Sequence, residues 1–187
     1  MQVSVKPGFY LYCALLMLVL PLRWVWAALL AAAIHELWHI AAIKLCRVEL
    51  VQVTIGAVGA KLHTGSMTRK QELLCALAGP VGALTMLLAS RWLPATAFCC
   101  AVQSACNLLP LYPADGGRAV RCLLLLFLPE DRAEIYIYIL ECILRVMIVM
   151  LGFYGTFVLQ LSAAVLLAAL VFSFGKFPCK AGKYKVQ

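Results

Sequence analysis

Trp24-Val25-Trp26-Ala27-Ala28-Leu29-Leu30-Ala31-Ala32-Ala33-Ile34-His35-Glu36-Leu37-Trp38-His39 is an apolar run that ends in two histidines four residues apart, with a glutamate beside the first. On a helix, residues four apart stack on one face, so both imidazoles project in the same direction. Two nitrogens in that arrangement can hold a zinc ion and leave the carboxylate next to its bound water. From Trp24 to Ile34 there is no charged or strongly polar side chain. A metal-binding pattern is therefore written into a segment with the composition of a membrane span.

The rest of the chain has the same composition. Its 187 residues are 65% hydrophobic and 13% charged, with a mean hydropathy of +0.96. Soluble domains carry about 25% charged residues, so the chain reads as a small polytopic membrane protein. The net charge of +8 does not point to nucleic acid, because the basic residues gather at the ends of apolar segments. The nine cysteines are scattered, odd in number and without a Cys-x-x-Cys pair. Neither a disulfide framework nor a thiolate zinc site is expected from them.

The hydrophobic pattern predicts an all-α polytopic membrane protein of about six transmembrane helices, with a small re-entrant β-hairpin after the second. The expected spans are residues 9–20, 24–46, 71–93, 95–128 (broken near 107–117), 135–151 and 154–174. A single intramembrane domain over 1–187, with no soluble accessory domain, follows from that layout. Lys6, the first apolar stretch and Ala31-Ala32-Ala33 imitate a signal peptide. Cleavage there would remove most of the helix that presents the histidines, so a retained span is the preferred reading. The hairpin is placed at about 48–62, where Val and Ile alternate around Gly56 and Gly59. Irregular backbone at that depth requires burial in protein or a cavity. Two prolines and two glycines between Asn107 and Gly117 forbid a continuous fourth helix.

Basic residues set the orientation. With six spans, Lys6, Lys44, Arg47, Lys61, Arg69, Lys70, Arg118, Arg121, Arg132 and the tail lysines 176, 180, 183 and 185 share one side, against Arg23 and Arg91 on the other. The positive-inside rule then puts both termini in the cytoplasm, and a bacterial cytoplasmic membrane is the expected location. His35 and His39 fall about 16–22 Å along the helix from Trp24 at 1.5 Å per residue, in the cytoplasmic half of the bilayer.

Two histidines are too few for a catalytic zinc site, which usually takes three protein ligands and a water. The remaining candidates are His63, the other histidine, and the span-embedded carboxylates Asp115, in the broken span, and Glu141. Asp115 can equally be an ordinary Pro/Asp/Gly turn residue. Asn107 can donate a hydrogen bond to a substrate carbonyl or cap the broken helix. The histidines themselves can be a hydrogen-bonded pair within a bundle, with Glu36 as partner, although burying such groups in lipid is costly without a function. In the fifth span, Glu141 and Arg145 lie i, i+4 and read as a structural ion pair, with a substrate-entry gate as the alternative.

His35-Glu36-Leu37-Trp38-His39, Ala78-Gly79-Pro80 and Asn107-x-x-Pro110-x-x-Pro113-x-Asp115-Gly116-Gly117, in this order, resemble the site-2 protease family of intramembrane metalloproteases over nearly the whole chain. The six-span layout is similar to the sporulation-type branch, whose known member processes a sigma-factor precursor. The resemblance implies zinc bound by His35, His39 and Asp115, Glu36 as general base, and substrate handling by Asn107 and by the hairpin with Gly56 and Gly59. It implies a membrane-associated protein substrate and leaves room for a regulatory membrane protein as partner. The chain departs from the family pattern in two places: Trp38 stands where glycine is usual, and Gly82, Ala83 and Leu84 stand in the neighbourhood where an asparagine commonly follows the Gly-Pro pair. The rival class is a membrane metal transporter or sensor, which would show polar groups along a path or paired broken helices in repeated halves.

Overall fold

The computed structural model describes residues 2–56 and 59–160, and beyond them residues 162, 166, 167, 169, 170 and 173. Among the described residues there are six α-helices, α1 (Pro7–Val19), α2 (Leu22–Leu45), α3 (Arg69–Ala83), α4 (Pro94–Leu108), α5 (Asp115–Phe127) and α6 (Glu130–Phe157), and three strands, β1 (Gln2–Val5), β2 (Leu50–Gly56) and β3 (Gly59–Thr64). The protein is mostly α, with a small sheet. Among the described residues, three helical stretches, Leu22–Leu45, Arg69–Ala89 and Glu130–Phe157, are long and apolar enough to cross a membrane.

The helix that carries the motif is central. α2 packs on α3 and α4, and α3 in turn packs on α5. Small residues allow the close approach: Ala31, Ala83 and Cys100 form one buried cluster, and Ala42, Ile43 and Cys75 another. Gly79 on α3 is a steric requirement, because a Cβ there would overlap the imidazole of His39. The N-terminus of α3 is fixed by a capping box in which Thr68 N donates to Gln71 Oε1 at 2.9 Å and Gln71 N donates to Thr68 Oγ1 at 3.3 Å. Gln71 Nε2 also donates to Cys46 O at 3.1 Å, which ties the start of α3 to the end of α2.

The expected hairpin is present as β2 and β3, antiparallel, with Gly56 opposite Gly59. Gly59 has φ +121°, a conformation that L side chains rarely adopt. The strand β1 was not legible as one. Gln2 to Val5 pair in parallel with Gln52 to Ile55, giving the order β1-β2-β3. Four residues carry too little periodicity to announce themselves, and only the edge of β2 makes them a strand. β3 remains an edge strand.

Three expected boundaries are corrected. The third span does not run on to residue 93: the α-helix continues through Pro80 to Ala83, tightens into a 3-10 stretch over Leu84–Ala89 and ends there. The break in the fourth span is narrower than residues 107–117, because α4 keeps Asn107 and Leu108 and α5 already begins at Asp115. The division expected near Gly152 is absent, since α6 runs unbroken from Glu130 to Phe157. A glycine inside a helix costs about 1 kcal/mol, whereas each unsatisfied backbone group in an apolar layer costs several, so the helix continues. Gly152 instead admits a neighbour: a Cβ there would lie 2.7 Å from that of Ala169. Most of the remainder of the expected span 154–174 lies outside the described residues.

Candidate metal centre

His35 and His39 are buried on the inner face of α2, at 3% and 7% exposure. Across from them the chain leaves α4 at Leu108, crosses 109–114 and re-enters a helix at Asp115. That break aims the carboxylate at the imidazoles. Asp115 Oδ2 lies 3.1 Å from His35 Nε2 and 3.1 Å from His39 Nε2, and the two Nε2 atoms are 3.1 Å apart. Gly116 is required beside it, because a Cβ there would overlap the Leu108 carbonyl.

This triangle suits a cation. His39 Nδ1 is 2.7 Å from the Cys75 carbonyl oxygen, which can only accept. Nδ1 therefore carries a proton, which leaves Nε2 as the nitrogen able to offer a lone pair to a metal, the arrangement usual for a metal-ligating histidine. Three donor atoms then converge, two imidazole nitrogens and a carboxylate oxygen, all within 4.8 Å of one another. With zinc–ligand bonds of about 2.0–2.1 Å in a tetrahedral shell, neighbouring donors are roughly 3.3 Å apart. The observed spacing fits that shell, and the N/N/O donor set is one that catalytic zinc uses.

The surrounding groups orient these three. Asn107 Nδ2 lies 3.3 Å from His35 Nε2. Arg118, one turn after Asp115, places Nη1 3.8 Å from Asp115 Oδ1 and Nη2 3.9 Å from Glu72 Oε1. Glu36 turns toward the sheet, where its Oε1 accepts the Ala60 N–H at 3.3 Å. That amide points away from β2, so Glu36 sits at the free edge of β3. A cavity of about 600 Å³ joins these groups, lined by His35, Glu36, His39, Asn107 and Asp115 on one side and β3 on the other.

Of the residues singled out in the sequence, His35, Glu36, His39, Asn107, Asp115 and Gly59 meet in this cavity. Gly56 stands one step back, half-buried as the cross-strand partner of Gly59. His63 lines the same cavity from β3, exposed and outside the three-ligand cluster. Sequence reasoning missed the Cys75 carbonyl and the Ala60 amide, which as backbone groups leave no mark in a residue pattern. Arg118 was within reach, three positions after Asp115 on a helix.

Trp38 meets Gly82, the first of the three residues where an asparagine is usual in the family pattern. A Cβ on Gly82 would overlap the indole of Trp38. The large side chain on α2, next to His39, thus occupies the space left by the small one on α3, one turn beyond Gly79.

No protein-family model matches the chain, and no curated protein matches it by sequence. Among solved structures, it is similar to the site-2 protease from Methanocaldococcus jannaschii, with a TM-score of 0.64 over 92% of this chain and 88% of that one, at 18% sequence identity. The chain has the fold of a site-2 protease.

Proposed function

We propose that this chain is an intramembrane zinc endopeptidase that cuts peptide bonds in or next to membrane-associated segments of protein substrates. The observation that carries the reading is one cavity in which His35, His39 and Asp115 converge, with Glu36 beside them and the free edge of β3 opposite. The likeness of fold to a site-2 protease supports it. Polar side chains gather at a single centre rather than along a path, which favours hydrolysis over metal transport.

His35 Nε2, His39 Nε2 and Asp115 Oδ2 would hold the zinc, which when bound would supply Lewis acidity toward a carbonyl and toward water. Glu36 takes the proton of the attacking water and hands it to the leaving amine. A substrate helix must first unwind, because its carbonyls are hydrogen-bonded and its peptide bonds shielded. The unwound segment adds to the edge of β3, whose backbone supplies the hydrogen bonds lost on unwinding. Asn107, with its amide nitrogen already next to His35, donates to a substrate carbonyl. Water reaches the centre through the cavity, which on the charge bias of the sequence opens to the cytoplasm. Resemblance to the sporulation-type branch makes a membrane-associated sigma-factor precursor the first substrate to try.

The test is Glu36→Gln. The variant is expected to keep zinc at the wild-type level and to lose cleavage of a co-expressed candidate substrate by about 10²-fold or more. Undiminished cleavage by zinc-loaded Glu36→Gln would refute the assignment.

A further inference from the structure

We infer that Glu141 is a positioning residue for the metal centre: from α6 it holds the backbone segment that delivers Asp115 to the two histidines. This rests on the zinc reading above. Glu141 is 7% exposed in the long apolar stretch of α6, where Arg145 is the other charged residue and a carboxylate is costly unless it is paired or put to use. Its two oxygens have different partners. Oε2 accepts from Arg145 Nη2 at 3.2 Å, the i, i+4 pair expected from the sequence. Oε1 accepts the backbone N–H of Tyr112 at 3.1 Å, and an ion pair within α6 does not call for that bond.

The backbone of the break shows why the second bond matters. Between Leu109 and Ala114, Pro110 and Pro113 have no N–H to give. Leu109 N–H goes to Cys106 O at 3.3 Å, Leu111 N–H to Leu109 O at 2.7 Å and Ala114 N–H to Leu111 O at 2.8 Å. Each of these stays within the segment or its own helix. The Tyr112 N–H crosses to another element, three residues before Asp115. The inner side of the break is fixed by tight packing, with Leu111 at 4% exposure and Gly116 against the Leu108 carbonyl. Glu141 fixes it from α6. Only Pro113 and Ala114 separate Tyr112 from Asp115, so a displacement of Tyr112 has a short stretch of backbone in which to be absorbed before it reaches the carboxylate, whose oxygen must reach both Nε2 atoms.

The experiment compares zinc affinity, by chelator competition, in full-length wild type, Glu141→Ala and Glu141→Gln, all purified in detergent, with Asp115→Ala as the reference for ligand loss. Alanine removes the acceptor for Tyr112, and affinity is expected to fall about 10–100-fold, as for other groups that orient metal ligands. Glutamine keeps a carbonyl oxygen for the Tyr112 N–H while losing the charge that pairs with Arg145, and is expected to restore most of the affinity. If Arg145 without its partner prevents Glu141→Gln from folding, the double variant Glu141→Gln/Arg145→Met carries the same comparison. Wild-type affinity in folded Glu141→Ala, or glutamine as poor as alanine, would overturn the positioning role and leave only an ion pair. A wild type that binds no zinc would instead overturn the proposed function itself.

Discussion

α2 and α6 are alike as sequences and different as parts of the molecule. Both are long and apolar, and each places a carboxylate within one turn of a residue able to carry positive charge: Glu36 with His39, and Glu141 with Arg145. In α2, 33% of the spanning stretch is buried inside the protein; in α6 it is 11%. α2 is surrounded by α3, α4 and the sheet, so its polar residues meet groups from distant parts of the chain. α6 packs on α5 and turns Val146, Met147 and Met150 outward, each more than half exposed. Its carboxylate is answered from its own helix by Arg145 and from across the break by the Tyr112 N–H. A polar group in an apolar helix thus takes its role from what other elements bring to it.

The sharpest way to break the contrast is to remove what another element brings to α2. Asp115→Ala is expected to empty the centre of zinc and abolish cleavage, while His63→Ala leaves both unchanged, because His63 lines the cavity without joining the cluster. Metal analysis of the two purified variants decides it, and the reverse order would make His63 the ligand. A smaller effect is expected where α2 meets α3. Gly82→Ala drives a methyl group into the Trp38 indole, and overpacking of this kind costs about 1–3 kcal/mol. Thermal unfolding in detergent should show the loss, and adding Trp38→Gly should recover much of it. Two independent, additive penalties would mean that the residues do not share one space. The smallest effect is expected on α6. Met150→Ala, at a position 63% exposed, should leave zinc content and cleavage unchanged, with stability shifted by no more than about 0.5 kcal/mol. A large loss there would show that the outer face of α6 is packed against protein, and the contrast would fall.

Much of this was legible in the residues because it depends on local rules. The i, i+4 spacing of His35 and His39 puts both on one face of any helix. The apolar run before them marks a membrane span, alternation around Gly56 and Gly59 makes a hairpin, and Pro110 and Pro113, close together and followed by two glycines, break the helix between α4 and α5. The tertiary structure decided matters that depend on partners distant in the chain. Gln2–Val5 became a strand only because β2 offered an edge. Gly152 let its helix continue because an apolar layer penalises broken hydrogen bonds more than it penalises glycine. Trp38 and Gly82, two oddities forty-four positions apart, became one packing contact. The direction of Asp115, the tautomer of His39 set by a carbonyl on α3, and the second bond of Glu141 are likewise distances between elements. Local spacing named the groups able to bind a metal, and packing brought their donor atoms to within 3.1 Å of one another.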